Sequence, residues 1–353
     1  MKKTAFLKIS CAALISAIAA LAARADIDIN DNVTVTGYAA GSLRVSKNQS
    51  NTTTTADLDA AKLAVLVKYD PFSAKISIFT DTGAHQLYLL DAYGTYNITD
   101  QFSVTAGRFL SYIGFTPFDI PDKTFITDSV PTGAPFIGTP GYHDGARVDF
   151  KQGNWTAGLS VVDSLYSLPG QPYRGDGSAR DGMGIEAKVR YTTDKWTANL
   201  SLGYEAQRQG HATLDDGTDP YHGSPQTYIA DLWGKWKPAE NTTLGAEIFY
   251  RRDQVNKDSN YLYLRQNIWF ILVQAKQQVN ETYAFGARVS TGGQAIGNYW
   301  RITALPVSYT ASKNLEVRLE ASFTKYTNRV NTMTSGNSGS SDGFAGVEAV
   351  MKF

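Results

Sequence analysis

The chain has 353 residues and a single cysteine, Cys11. One thiol excludes a disulfide framework and a thiolate metal site. Histidine is nearly as scarce: His85, His143, His211 and His222 show no HxxxH or HxH spacing, so no metal centre is expected. There is no glycine-rich phosphate loop and no nucleophile elbow, and no cofactor is expected. After Ala25 no apolar run reaches eighteen residues, which excludes a membrane-spanning helix.

What is present begins at the N-terminus. Lys2, Lys3 and Lys8 form a basic start, an Ala/Leu/Ile run extends from Ala12 to Ala23, and Ala23-Arg24-Ala25 precedes Asp26. That layout is an export leader over residues 1–25 with cleavage after Ala25, leaving one mature domain, 26–353. Losing Lys2, Lys3, Lys8 and Arg24 takes 33 basic residues to 29 against 33 acidic ones, a net charge of −4. Cys11 leaves with the leader. A slightly acidic mature chain gives no reason to expect nucleic acid as a partner.

Aromatics are plentiful, with 20 Tyr, 16 Phe and 6 Trp, and segments of about ten residues alternate apolar with polar. In Met183 to Tyr191 the odd positions are apolar and the even ones include Glu186, Lys188 and Arg190. Trp196 to Tyr204, Leu244 to Tyr250 and Leu315 to Phe323 repeat the pattern. In a strand these two sets face opposite sides of the sheet. Connections then alternate in length. Seven tight turns fall at 70–73, 99–101, 152–154, 193–195, 238–241, 279–281 and 311–314. Eight generally longer polar stretches lie at 46–57, 82–86, 110–142, 164–181, 209–225, 252–260, 292–298 and 328–342.

Seven turns and eight loops make about sixteen strands with both ends on the turn side. The fold class is all-β, a closed antiparallel transmembrane β-barrel in the outer membrane of a Gram-negative-type bacterium, surrounded by outer-membrane lipids. Tyr69, Phe102, Trp155, Trp196, Trp236, Tyr283 and Tyr309 each sit beside a short turn, as a lower interfacial girdle would. The last strand, Val347 to Phe353, fits closure against Val33–Val45, and its terminal Phe353 resembles the signal read by the barrel assembly machinery. One stretch, Ile268 to Val273, alternates too little for a simple strand and is a candidate contact for a neighbouring subunit.

The third loop, 110–142, is the longest, rich in proline and apolar residues, and holds Asp119, Asp122 and Asp128. A loop of that length is functional or disordered, and its apolar content argues against disorder. Gly107-Arg108-Phe109, Ile113-Gly114-Phe115 and His143-Asp144-Gly145-Ala146-Arg147 bracket it. These landmarks resemble those of the β-barrel porin-2 family of outer-membrane proteins, although Thr116 stands where that family commonly has Glu. The resemblance implies a porin-like role. Similarity in layout to the general diffusion porins further implies a loop folded into the lumen as a constriction, and a homotrimer.

Alternation assigns the polar wall. Its basic residues include Arg147, Lys188, Arg190, Arg251, Arg288, Arg301 and Arg318, and its acidic ones Glu186 and Glu247. The full tally is 13 basic to 9 acidic, so a basic wall is expected to face Asp119, Asp122 and Asp128, favouring polar solutes over apolar ones. The function expected is passive diffusion of small hydrophilic solutes or ions. A substrate-specific channel, for sugars for example, would line its path with aromatics such as Tyr88 or Tyr93. A barrel enzyme would need a Ser/His/acid set, and no strand-borne histidine has a suitable serine and acid at matching parity.

Overall fold

The computed structural model describes residues 26–48, 51–81, 86–128, 140–165, 182–207, 226–254, 267–294, 297–327 and 341–353. The expected leader, 1–25, lies outside the described residues, as do His85, His211 and His222. A short β1 (Ile27–Asn30) precedes β2 (Val33–Lys47), β3 (Thr52–Tyr69), β4 (Phe72–Asp81), β5 (Gln86–Asn97) and β6 (Phe102–Leu110). After the long connection come β7 (Tyr142–Gln152), β8 (Trp155–Val162), β9 (Gly182–Thr192), β10 (Trp196–Gln207), β11 (Gln226–Ala239) and β12 (Thr242–Gln254). The chain closes with β13 (Asn267–Gln278), β14 (Tyr283–Gln294), β15 (Gly297–Ser312), β16 (Leu315–Thr327) and β17 (Ser341–Lys352).

Strands β2 to β17 pair in sequence, each antiparallel to the next, and β17 returns to β2 from Gly343↔Lys47 to Lys352↔Tyr38. The sheet is thus a closed sixteen-stranded barrel with one extra strand. That strand has a use. β17 stops opposite Tyr38, and β1 covers the remaining edge of β2 through Ile27↔Val35 and Asn30↔Val33. No ladder edge is left open there.

All seven short turns fall between strands where expected. The loop expected at 46–57 is instead mostly strand: β2 runs to Lys47 and β3 starts at Thr52, with Thr52–Thr55 paired to Lys47–Arg44. Threonine reads as loop by polarity, but its β-branch suits a pleated sheet. Likewise 292–298 shrinks, because β14 reaches Gln294 and β15 begins at Gly297.

Outward positions are apolar and exposed, inward ones polar and buried. On β10, Leu200 and Leu202 face out, while Asn199, Ser201 and Glu205 are buried inside. The turn-side aromatics are outward and touch across strands, as in Trp196 stacked on Trp236 at 5.2 Å between centroids. Ile268–Val273 is an ordinary part of β13. Trp269, Ile271 and Val273 face out, but Ile268, Phe270 and Leu272 are buried inside. The alternation fades because the inner face packs in apolar clusters with Phe109, Ile113, Phe115, Leu165 and Phe249. A neighbouring subunit is not needed to explain it.

Closure meets a tight point at Gly37. Its N–H donates to Phe353 O at 2.7 Å, and the Phe353 N–H donates back to Gly37 O at 3.0 Å. A Cβ there would lie 2.8 Å from the Phe353 ring and would also meet Lys62 O. Gly37→Val is therefore expected to overpack the seam, at a cost of about 1–3 kcal/mol. The check is the folded fraction read from heat-modifiable electrophoretic mobility, and an unchanged folded band would refute the tight seam.

Candidate functional site

Residues 111–128 include a single 3₁₀ turn at Ile120–Asp122 and no strand. Their backbone groups have no sheet to pair with, so side chains of the inward wall serve instead. Glu186 on β9 accepts from Ser111 Oγ and, at 3.3 Å, from the Tyr112 N–H. Asp231 on β11 accepts the Gly114 N–H at 2.7 Å, and Glu247 on β12 accepts the Phe115 N–H at 3.0 Å. Glu320 on β16 accepts the N–H groups of Ile126 and Thr127 and the Thr127 hydroxyl.

Loop carbonyls are met by arginines. Arg288 donates to Thr127 O at 2.8 Å and Asp128 O at 3.0 Å, and Arg301 donates to Asp128 O at 3.0 Å. Arg318 donates to Ile120 O at 3.0 Å and Pro121 O at 3.3 Å. Past the closing seam, Lys62 of β3 donates to Asp119 at 2.9 Å and the Tyr38 hydroxyl of β2 donates to it at 3.3 Å. The segment is thereby tied to the inward face of strands on both sides of the barrel.

The bracketing motifs turn out to build this anchorage. His143 is fully buried, with Nδ1 3.0 Å from Ser164 O and Nε2 3.1 Å from Glu186 Oε1. A carbonyl only accepts, so Nδ1 carries its proton, and the ring braces the carboxylate that holds Ser111 and Tyr112. Gly114 adopts φ +116°, which side chains rarely tolerate, and this aims its N–H at Asp231. Gly107 has φ +119°, and a Cβ there would run into Ala92 O.

The remaining expected wall residues sit inward as well. Lys188 pairs with Asp149 at 2.9 Å and lies over the Tyr112 ring at 3.9 Å. Arg147 lies 4.6 Å over Phe109, and Arg190 donates to Asn199 at 3.0 Å. Arg251 is buried. Asp122 shares a cavity of about 40 Å³ with Lys235 and Phe115. Asp128 is bonded by Lys123 of the loop itself at 2.8 Å. Desolvation pushes the Asp128 carboxyl up, but Lys123, Arg288 and Arg301 outweigh it and leave the group below its ordinary range. Burial pushes the Tyr112 hydroxyl up, so it stays neutral.

Of the loop acids, Asp119 meets a wall lysine, Lys62, while the other links to the wall are loop amides given to wall carboxylates and loop carbonyls met by wall arginines. Strand alternation points Asp231 and Glu320 inward without showing this role, and no sequence pattern singles out Tyr38. The available signal was that a buried loop needs acceptors for its N–H groups.

Two water-accessible cavities flank one stretch of wall. The larger-loop side holds about 510 Å³ bounded by Arg44, Asp59, Asp128, Arg301 and Tyr326. The turn side holds about 530 Å³ bounded by Thr36, Lys68, Asp70, Lys75 and Tyr93. Along β2 and β3, Tyr38 and Lys62 lie between them, where they grip Asp119.

Comparison with known proteins agrees with this architecture. No curated protein matches the chain. Among solved structures, an anion-selective porin from Comamonas acidovorans is similar at a TM-score of 0.63 and 11% identity, covering 91% of this chain and 99% of that one. The trimer form of OmpT from Vibrio cholerae gives 0.59 at 12% identity, covering 92% and 100%. Salmonella typhi OmpF gives 0.59 at 13% identity, covering 93% and 100%. At such identities these likenesses show the fold. The family described as "Putative beta-barrel porin-2, OmpL-like" matches residues 30–353, and the chain belongs to that family of outer-membrane porins.

Proposed function

We propose that this porin passes small hydrophilic solutes and ions by passive diffusion, with no catalysis, and that residues 111–128 narrow the path. The observation that carries the reading is the pair of cavities separated by Tyr38, Lys62 and Asp119. Two apolar clusters pack on the side of β8 and β11 to β13, and a third around Tyr38, Ala60, Phe79, Leu90 and Tyr142 narrows the eccentric path along β2, β3 and their neighbours. Export through cleavage after Ala25, recognition of Phe353 by the barrel assembly machinery, and assembly as a homotrimer belong to the same reading. The Vibrio cholerae OmpT structure similar in fold is a trimer form.

Planar-bilayer recording under a salt gradient tests it. Open steps with a reversal potential on the anion side are expected from the basic excess of the wall. A cation-side reversal would sink the charge assignment, and a folded barrel without conductance would sink diffusion itself. Lys62 pairs with both Asp119, at 2.9 Å, and Asp91, at 3.1 Å. Lys62→Ala leaves two carboxylates at the narrow point, so conductance is expected to rise and the reversal potential to move toward cations. No movement would place the narrow point elsewhere.

A further inference from the structure

The outer surface of the barrel is not the same all the way round. On β10 and β11, Tyr204 and Tyr228 are exposed eight positions above Trp196 and Trp236, and their rings meet at 5.1 Å. Tyr250, Trp269, Trp300 and Phe323 continue this upper belt across β12, β13, β15 and β16. With about 3.3 Å per residue and strands tilted about 40°, eight positions rise about 20 Å, close to the far side of an apolar band of about 25 Å. Two belts of amphipathic rings mark a surface that meets lipid at both interfaces.

Among the described residues, β17 and β2 to β9 carry no exposed aromatic at that upper level. Charges stand lower on this side, whereas the outward charges of the belt sector, Arg252 and Lys325, lie level with Tyr228 and Trp300 at its upper edge. Arg108 faces outward six positions above Phe102, about 15 Å up by the same geometry and so within the apolar band. Its guanidinium bonds to Asp144 at 3.2 Å. Asp163 lies beside Asp144 in the same row, since the Asp163 N–H donates to Asp144 O at 2.9 Å. The wall is also low in this sector, with 9 residues in β6 and 8 in β8 against 18 in β3.

The sheet opens at the same place. Pairing of β5 with β6 ends at Ala92↔Arg108, although β5 continues up to Gln86. Above that point the Arg108 side chain donates to Leu89 O at 3.1 Å. A charged row and an unzipped edge are not what a lipid-facing wall presents.

We propose that the outward face centred on β5 to β8 packs against a second copy of this chain, with Arg108, Asp144 and Asp163 as its polar contact. The proposal rests on the homotrimer reading and goes past it by saying which face is shared. The occupant follows from depth and charge. A partner that covers a patch within the apolar band must itself be embedded, and the row is basic at its β6 end and acidic toward β8, so in a closed ring the acidic end of one copy can meet the basic end of the next. Outward Ala92, Gly94, Ala106 and Ala146 are small enough for two sheets to approach closely. The apolar run on β13 is left facing lipid.

The mature chain has no cysteine, so single labels can be placed cleanly. Ala146→Cys on the proposed face and Ile248→Cys beneath the upper belt lie at similar heights, and each takes an environment-sensitive fluorophore. In vesicles of brominated phosphatidylcholine, quenching is expected at 248 and protection at 146, with native mass spectrometry giving a trimer. A trimer with quenching at 146 would overturn the face and leave the assembly reading intact. A monomer quenched at both positions would overturn both readings and make lipid the occupant. Asp144→Lys is expected to convert trimer into folded monomer, seen as loss of the oligomer with the heat-modifiable band retained. An undisturbed oligomer would remove the charged row from the interface.

Discussion

Replacing Arg318 by alanine is expected to lower barrel stability by about 3–5 kcal/mol, the usual cost of removing one partner from a buried ion pair. Arg318 is 1% exposed and is the largest fully buried side chain among the described residues. Its guanidinium bonds Glu316 at 2.7 Å and Glu348 at 3.4 Å, and also donates to Ile120 O and Pro121 O. Alanine would strand two carboxylates inside the lumen and free the 3₁₀ turn of the loop. The denaturant midpoint of the folded barrel in detergent measures this, and a loss under about 1 kcal/mol would show that water replaces the arginine. Arg318→Lys is expected to recover only part of the loss, because one ammonium cannot reproduce a fork that serves four acceptors.

A second large effect is expected from Glu186→Ala, and it should fall on conduction more than on the barrel. Three donors converge on this carboxylate, Ser111 Oγ, the Tyr112 N–H and Ser160 Oγ, and His143 Nε2 lies 3.1 Å from it. Each donor left buried without a partner costs about 1–3 kcal/mol, and the cheapest relief is for the start of the loop to let go. Sixteen paired strands do not depend on that bond. The variant should therefore fold, conduct more and fluctuate more between levels, and a protease added from outside should cut within 111–128. Glu186→Gln keeps an acceptor oxygen and should stay near the parent in conductance. If Glu186→Ala conducts like the parent, the loop is held by Asp231, Glu247 and Glu320 without it.

Both predictions concern residues whose inward parity was legible while their partners were not. Alternation from Met183 to Tyr191 is enough to point Glu186 and Lys188 inward, and alternation from Leu315 to Phe323 does the same for Arg318 and Glu320. Nothing in those segments says that Glu186 receives loop amides or that Arg318 receives loop carbonyls. The motifs were visible too, as Gly107, Gly114 and His143, but only as a resemblance. Their physical reasons are a close approach to Ala92, a positive φ that aims an N–H at Asp231, and a brace behind Glu186. Two segments depart from expectation for one reason: polar Thr52–Thr55 and apolar Ile268–Val273 are both ordinary strand, because polarity along the chain does not say what lies across the sheet.

By itself the sequence determined the all-β class, the sixteen strands, the seven tight turns and the closing strand. Each of these is written in neighbours: period-two alternation is a property of the extended backbone, and a tight turn uses only a few consecutive residues. Tertiary structure alone decided how the long connection is held, because its contacts join residues far apart in the chain. Ser111 meets Glu186 across 75 positions, Gly114 meets Asp231 across 117, and Ile120 meets Arg318 across 198. Closing the barrel turns those separations into hydrogen-bond distances, and a loop with no sheet partners of its own takes whatever donors and acceptors the closed wall presents.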